Sequence, residues 1–555
     1  MPNEETINDV SEISISIDFG TSNLKVAVFN SERASRENGD IDKIFIMDLS
    51  TEQGSNVIPN ILNIGAENVF SIGSADYSGN VTVVKSIKRH IEEENWTVYV
   101  PARQRNMTID EVLKEAFEWI REKVFAQFNK NPKDTVITVP VCFSEMQKQR
   151  IRKAATAAGL NVKEVLTEPF AGLFSYYRLF NFQEMKPINV LVFDFGGSTL
   201  YMSIIKISPN ETVKVNTLAA IGKKYGGEDL TNMIYENLFS QYKSIFKERV
   251  DRIFKRRYLD DSFVPEEDKN LKSEIYKKNY EIYFKEFYNQ LFSEINDFKE
   301  KVCSTDNMTF DTDECEIFQS LVCDEISSKG IQLSYNGFVD MLEKEKLGEK
   351  IRSSIELISD KALLDITDID KIMMIGGTSK IRYFRNILME CAEIPQEDYN
   401  KKFIEIKDSE KLTAVAIGAL TYFKMNNITF DASDMLSYEI GIIENNKYIT
   451  VRTSDTALGE WTSFISVMPE ELDSNYLKVK MYQIFDDTTS YSDRLEEPIY
   501  MGYFRLDKKV FCEGNKYLMA ICVDKKCELY ANFYDPKTKV ESDNPLEKVK
   551  ITLEA

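Results

Sequence analysis

Apolar and polar residues alternate with a period of two in residues 13–20, ISISIDFG, and a denser apolar run fills residues 189–197, NVLVFDFGG. Each run ends in glycine and is followed by a second strand-like run, LKVAVF at 24–29 and LYMSIIKI at 200–207. The pattern predicts two strand-turn-strand units. A further apolar strand with a glycine end stands at residues 371–377, KIMMIGG, and leads into TSKIRYFRNILMEC, where Ile381, Phe384, Ile387 and Leu388 recur at helical spacing. Helical periodicity also marks residues 108–128, which open on a T-x-x-E capping box at Thr108 and Glu111. SEMQ at 144–147 predicts a second box, with Gly159 closing that helix. Residues 231–302 are long, aromatic and charged, and YKKNYEIYFKEFYNQLF within them reads as an amphipathic helix. They form either an enlarged helical subdomain or a partner surface. From residue 438 onward short alternating runs broken by turn residues predict an all-β domain.

The two hairpins are copies. Residues 17–29, IDFGTSNLKVAVF, lie over residues 193–205, FDFGGSTLYMSII, with identity at Asp18/Asp194, Phe19/Phe195, Gly20/Gly196, Ser22/Ser198 and Leu24/Leu200. Glycine at such a turn lets the backbone approach a ligand with no Cβ in the way. Successive amides there can face phosphate oxygens, and an aspartate at the strand end is placed to hold a hydrated cation near them. One such hairpin alone reads as an ordinary turn in a core sheet. Two copies and a third glycine turn predict two similar lobes with a nucleotide clamped between them.

Composition narrows the alternatives. At 555 residues, with 43% hydrophobic and 12% aromatic residues, the chain holds material for two or three cores. Its 69 basic and 90 acidic residues give a net charge of -21, which repels nucleic acid and anionic membrane, so neither is an expected partner. The eight cysteines are scattered without a CxxC pair and read as thiols of a reducing compartment. His90 is the only histidine, which removes histidine-rich metal sites and Ser/His or Cys/His nucleophile pairs. No run is long and apolar enough for a bilayer and the N-terminus lacks a signal pattern, so a cytoplasmic location is expected.

Residues 136–177, VITVPVCFSEMQKQRIRKAATAAGLNVKEVLTEPFAGLFSYY, resemble the heat-shock protein 70 family in their VPxxF, AGL and EPxAA-like elements. In that family's order stand IDFGTS (17–22), SIKR (86–89), FDFGGST (193–199), YGGEDL (225–230), MIGGTSKI (374–381) and AVAIGA (414–419). SDMLSYEIGI (433–442), LKVKMYQ (477–483) and residues 517–539 are similar to parts of its peptide-binding domain. The resemblance implies an α/β fold: a two-lobed, actin-like ATPase nucleotide-binding domain, then a smaller all-β sandwich. The implied boundaries are a flexible N-terminus at 1–12, the first domain at 13–427, a linker at 428–437 and the β domain at 438–555.

The family's chemistry carries over residue by residue. ATP or ADP and Mg²⁺ are the implied ligands. Asp18 and Asp194 would hold the hydrated metal, Lys88 would touch the γ-phosphate and attacking water, and Glu168 would order that water, with Asp194 and Thr199 completing the catalytic set. Gly20, Thr21, Ser22, Gly196, Gly197 and Ser198 would meet the phosphates, and Gly226, Gly227, Glu228, Gly376, Gly377 and Lys380 would line the remainder. The adenine motif falls on Asp297, Glu300, Lys301 and Ser304, so Lys301 and Ser304 are nucleotide contacts by resemblance. Taken singly, Lys88 is a surface lysine and Glu168 a helix N-terminal carboxylate.

The departures also matter. Tyr201 replaces a second aspartate of the family, Ser198 its third glycine, and Lys148 an arginine of interdomain signalling; the linker lacks a leucine run. A helical lid would follow residue 555, so a lidless member is expected. The resemblance implies a chaperone of protein folding and the stress response, with slow hydrolysis, weakened coupling, and unfolded or extended polypeptide as partner, together with a co-chaperone or nucleotide-exchange partner. The alternative is a nucleotide-gated scaffold with little hydrolysis. A sugar or acetate kinase of the same fold is disfavoured by the β tail. Val467 and Met468 are candidates for the peptide pocket.

Overall fold

The alternation at the start of the chain becomes a strand buried on both faces. The structure is a computed structural model and describes residues 12–33, 43–49, 56–76, 81–91, 93, 95–141, 143, 145–176, 186–208, 213–223, 225–248, 250–251, 269–304, 309–311, 332–404, 412–424, 430–433, 438–453, 456, 459–485, 499–524, 529–536 and 547–552. In β1 (Ile13–Phe19) the isoleucines and Phe19 enter one apolar cluster, while Ser14 and Ser16 are buried toward the other side. Such a strand belongs in the middle of a layered α/β structure. With β2 (Asn23–Asn30), β3 (Ile44–Ile46), β4 (Asp134–Val139) and β5 (Val162–Thr167) it forms a sheet of order β5-β4-β1-β2-β3, in which β1 is antiparallel to β2 and parallel to β4. Residues Ile58–Pro59 add a short pairing to β2.

The sequence repeat is a repeat of topology. β6 (Ile188–Phe195) and β7 (Leu200–Ser208) form the second hairpin, followed by β8 (Val213–Lys223), β9 (Lys371–Ile375) and β10 (Phe430–Ser433) in the order β9-β6-β7-β8-β10. As in the first sheet, the hairpin's first strand has a parallel neighbour, here β9. Part of the expected linker is β10, which lies parallel to β8 with Val213 opposite Phe430. The ends of that linker, and residues 1–11 of the N-terminal segment expected at 1–12, fall outside the described residues.

Helices cover these sheets. α1 (Ile109–Phe128) starts on the predicted box, with the Glu111 carboxylate accepting the Thr108 N–H at 2.8 Å and the Thr108 hydroxyl accepting from Glu111 N–H. α2 (Glu145–Ala157) is closed by Gly159 at φ 84°, where Leu160 N–H reaches back to the Ala155 carbonyl. Ser144 of the second expected box lies outside the described residues. α3 (Glu168–Ser175) and α4 (Ala414–Lys424) are buried helices. α4 sits on the serine face of β1, where the Ser16 hydroxyl donates to the Ala416 carbonyl. Small residues let it also touch α3: a Cβ on Gly418 would stand 1.8 Å from the Ala171 carbonyl oxygen.

The chain divides into two compact units. One comprises Met1–Lys224, Ser353–Lys380 and Met389–Ala555; the other comprises Tyr225–Arg352 and Ile381–Leu388. The second unit contains helices Gly227–Ile234, Lys269–Ser304 and Tyr335–Lys344. Phe287, Leu291, Ile295, Phe298 and Val302 give the long helix its buried stripe, which accounts for the amphipathic pattern. In the first unit, residues 438–552 carry only strands among the described residues: β11 (Tyr438–Glu444), β12 (Lys447–Arg452), β13 (Ile465–Val467), β14 (Glu470–Glu471), β15 (Tyr476–Phe485), β16 (Ile499–Asp507), β17 (Tyr517–Val523), β18 (Leu529–Tyr534) and β19 (Glu547–Thr552). Where two separate layers are expected, a single curled sheet runs β12-β11-β15-β16-β19-β18-β17-β13, with β14 on β15. The reason is β19, which pairs with β18 through Glu547–Lys550 and with β16 through Ile551 and Thr552, so one strand belongs to both layers. Ile440, Met481, Phe504, Met519 and Phe533 fill its interior.

Replacing Gly418 by alanine tests the α3–α4 contact. The added methyl meets backbone that cannot swing aside, so Gly418→Ala is expected to destabilise by about 1–3 kcal/mol, although alanine favours an isolated helix by roughly 1 kcal/mol. Denaturant unfolding followed by circular dichroism reads this directly, and an unchanged or raised midpoint contradicts the packing.

Candidate functional site

The two glycine turns abut each other. The Thr21 and Ser198 hydroxyls are 2.5 Å apart, and a Cβ on Gly197 would lie 2.2 Å from the Ser22 hydroxyl oxygen. The third turn joins them: Gly376 has φ 85°, a Cβ there would meet the Phe195 carbonyl at 2.4 Å, and the Thr378 hydroxyl donates to the Gly196 carbonyl at 2.7 Å. No side chain fits at these positions, so backbone polar groups crowd one cleft. Its lining includes Asp18, Gly20, Thr21, Ser22, Lys88, Glu168, Asp194, Gly196, Gly197, Thr199, Gly376 and Gly377. Most of the residues singled out in the sequence therefore meet in one place. Asn23, Lys25, Leu412 and Val415 line it as well and were not anticipated.

Each charged group arrives on a rigid element. Asp18 and Asp194 end β1 and β6. Glu168 is the first residue of α3, where the helix N-terminus favours negative charge, and Pro169 fits the first turn. Lys88 stands in the 3-10 turn Ile87–His90 behind Ser86, whose φ of 52° is left-handed. Its ammonium donates to Glu168 Oε1 at 2.6 Å and lies over the Phe143 ring. Lys88 is only 5% exposed, which removes the surface-lysine reading. Burial raises the Glu168 carboxyl above its usual range, against the pull of Lys88. Burial, then the charges of Glu168 and Asp18, push Asp194 well above the carboxylate range. His90, the only histidine, contacts Glu93 and takes no part in the cleft.

Lys25 is the main residue missed. It lies directly across from Asp18 in the β1–β2 register and donates to Asp18 Oδ2 at 2.9 Å, with both side chains buried. The signal was present: a lysine between Leu24 and Val26 in a strand otherwise destined for the interior is costly unless it has a partner. Tyr201 holds the equivalent place in the second hairpin, across from Asp194, and is 1% exposed in the apolar cluster that contains Ile17 and Phe19. Lys148 is buried as well.

A hydrated divalent cation fits one half of this arrangement. Asp194 Oδ2 is buried with no hydrogen-bond partner among the described residues, an acceptor that a metal's water could satisfy. The Asp18 carboxylate already receives a cation, the Lys25 ammonium.

Residues 72–275 match the family model for Hsp70 protein. The matched stretch carries Lys88, Glu168, Asp194 and the second glycine turn. Over residues 72–275 the chain is similar to the Hsp70 family. The match implies the actin-like ATPase fold and, at the level of the family, a nucleotide-binding, chaperone-like function. It also brings ATP or ADP with Mg²⁺, and unfolded polypeptide and co-chaperones, as the family's general ligands and partners. Among the described residues no helix is long and apolar enough to cross a membrane.

Other expected residues have different settings. Lys380 ends the short turn Thr378–Lys380 and is exposed. Gly226, Gly227, Glu228, Lys301 and Ser304 belong to the second unit. There Gly226 precedes helix Gly227–Ile234 and gives its N–H to the Asp229 carboxylate at 2.7 Å. The lysine that reaches this turn is Lys299, whose ammonium donates to the Gly227 carbonyl at 2.7 Å and to the Thr231 hydroxyl and Asn296 side chain at 2.9 Å. Lys301, two residues on, is exposed, because two helical steps turn it about 200° away.

Burial lowers the Lys299 ammonium to about 8 from a model-peptide value of 10.5. Between these pH values the unfolded chain binds one proton more than the folded one, so stability rises with pH there, by roughly 1.4 kcal/mol per unit at most. Below pH 8 both states are protonated and this slope vanishes. The Lys299→Met variant is expected to lack the extra rise between pH 8 and 10 in urea unfolding; equal slopes in both proteins refute the assignment.

Proposed function

We propose that the chain binds ATP in the cleft between the glycine turns, hydrolyses it slowly, and uses the nucleotide state to bias binding of extended polypeptide by its C-terminal β domain. The observation that carries this reading is the convergence of both repeated turns with Asp18, Lys88, Glu168 and Asp194 on one cleft. Turn amides and the Thr21, Ser22, Ser198 and Thr199 hydroxyls are the donors for phosphate oxygens. The Lys88 ammonium would sit against the terminal phosphate, and the Glu168 carboxylate, held by Lys88, would accept a hydrogen bond from the attacking water and orient it. A divalent cation, when bound, supplies charge neutralisation on the β and γ phosphates, and Asp194 would hold its water. Slow turnover follows from Tyr201, which puts an aromatic ring in the core where a carboxylate would act.

In this reading residues 13–427 act as the ATPase domain and residues 438–555 as the peptide-binding domain, joined through β10. The strand pairing of β10 on β8 gives a hydrogen-bonded route by which nucleotide state reaches the β domain. The peptide site is a cleft of about 280 Å³ in which Ile442, Val467, Met468, Val479 and Tyr482 stand among Glu444, Glu470, Lys478 and Lys480, beside the Asn445–Asn446 turn. Met468 is 48% exposed there, a side chain suited to varied apolar partners.

The deciding experiment is single-turnover ATP hydrolysis beside equilibrium ATP binding. Wild type is expected to hydrolyse slowly, and Lys88→Ala to bind ATP yet lose about 10²-fold or more of the single-turnover rate. Tight binding by the wild type with no hydrolysis would establish the alternative, a nucleotide-gated scaffold, which the prior engagement of both cleft lysines favours. For the β domain, Met468→Asp should weaken binding of a fluorescent apolar peptide by about tenfold, since it removes the exposed apolar side chain against which the peptide would pack and puts a charge there. Unchanged affinity would remove this cleft from the reading.

A further inference from the structure

The cleft gathers five charged side chains, and their pairing is uneven. Lys88 meets Glu168 and Lys25 meets Asp18, while Asp194 keeps Oδ2 without a partner among the described residues. One of these contacts is fixed by backbone. Asp18 and Lys25 are cross-strand neighbours on β1 and β2, so their side chains leave the sheet on the same face. The ammonium also lies at the phosphate turn itself: a Cβ built on Gly20 would stand 3.6 Å from Lys25 Nζ. Lys25 itself is only 9% exposed, so its ammonium stays within the cleft. In the second hairpin the same position is Tyr201, which brings no positive charge to Asp194.

We propose that Lys25 is a built-in cation of the phosphate site, standing at Asp18 in place of divalent-metal charge, so that this chain binds nucleoside triphosphate without a divalent metal. The inference rests on the nucleotide reading given above. An ammonium at this turn does two things that a divalent cation held there would do. It neutralises Asp18, which would otherwise repel a triphosphate, and it presents donors to the β and γ oxygens. A lysine needs no dehydration from bulk to take up this position, and it is present at every encounter with the ligand. Asp194 alone remains for a metal, so any ion bound with the nucleotide has one protein carboxylate where the two hairpins would otherwise offer two.

Calorimetric titration of the purified chain with ATP, once in excess magnesium and once in EDTA, tests this without any variant. The wild-type dissociation constant is expected to change by less than about threefold, whereas Lys25→Ser should lose about tenfold or more on chelation. Lys25→Arg, which keeps the charge, is expected to follow the wild type. Paramagnetic resonance of Mn²⁺ added with ATP gives a second readout: Lys25→Ser should immobilise the ion more tightly than the wild type does. Should Lys25→Ser fail to fold because Asp18 is left buried and unpaired, the double variant Asp18→Asn with Lys25→Ser removes both charges, and its loss of EDTA-resistant ATP binding would support the proposal. ATP binding by the wild type in magnesium but not in EDTA overturns the inference and leaves the nucleotide reading intact. Absence of ATP binding in either buffer overturns that reading itself.

Discussion

Three glycine turns meet within van der Waals distance, and this contact governs the first unit. Side chains are excluded at Gly197 and Gly376 because Ser22, Phe195 and Asp194 already occupy the space. Once the turns touch, the strands that carry them have fixed ends, and the two aspartates at those ends must share a cleft. β1 and β6 cannot slide in register without driving a Cβ or a carbonyl into the opposing turn. Buried strands on either side hold that register, since a one-residue slip would send Ile13, Ile15 and Ile17 to the serine side.

Bringing those strand ends together concentrates charge in a place poor in water. Three carboxylates and two ammoniums line the cleft, and each buried ion must be met by another or change its protonation. The structure uses both remedies. Lys88 and Lys25 each take one carboxylate, and the remaining one, Asp194, is driven toward its neutral form by burial and its neighbours. The cleft is thereby tolerable without ligand, and its ammoniums are already positioned by carboxylates.

Much of this was legible in the sequence because glycine and period are local signals. The duplicated DFG hairpin, the third Gly-Gly turn, the Thr108 box and the Gly159 stop each translated into the feature they predict. Two kinds of information were not legible. One concerns distance along the chain: β19 joins both layers of the β domain, and β10 extends the sheet of β8, through pairings that no local pattern encodes. The other concerns which face of a helix a residue occupies: Lys299 reaches the Gly227 carbonyl, while Lys301 two residues on is exposed.

Lys25 shows a third kind of loss. Aligning the two hairpins draws attention to the positions that agree, and Lys25 lies over Tyr201, a position that differs. Yet the cross-strand register makes this mismatch the most consequential one in the repeat, because both residues stand directly opposite the aspartates. The backbone of the two copies is nearly symmetric, and the electrostatics are not. One aspartate is neutralised by a lysine; the other has an aromatic neighbour and a bare oxygen. A symmetric pair of turns thus makes an asymmetric site, with a permanent positive charge on the first hairpin and an open acceptor on the second. A triphosphate, with most of its negative charge at one end, is a ligand that such asymmetry can orient.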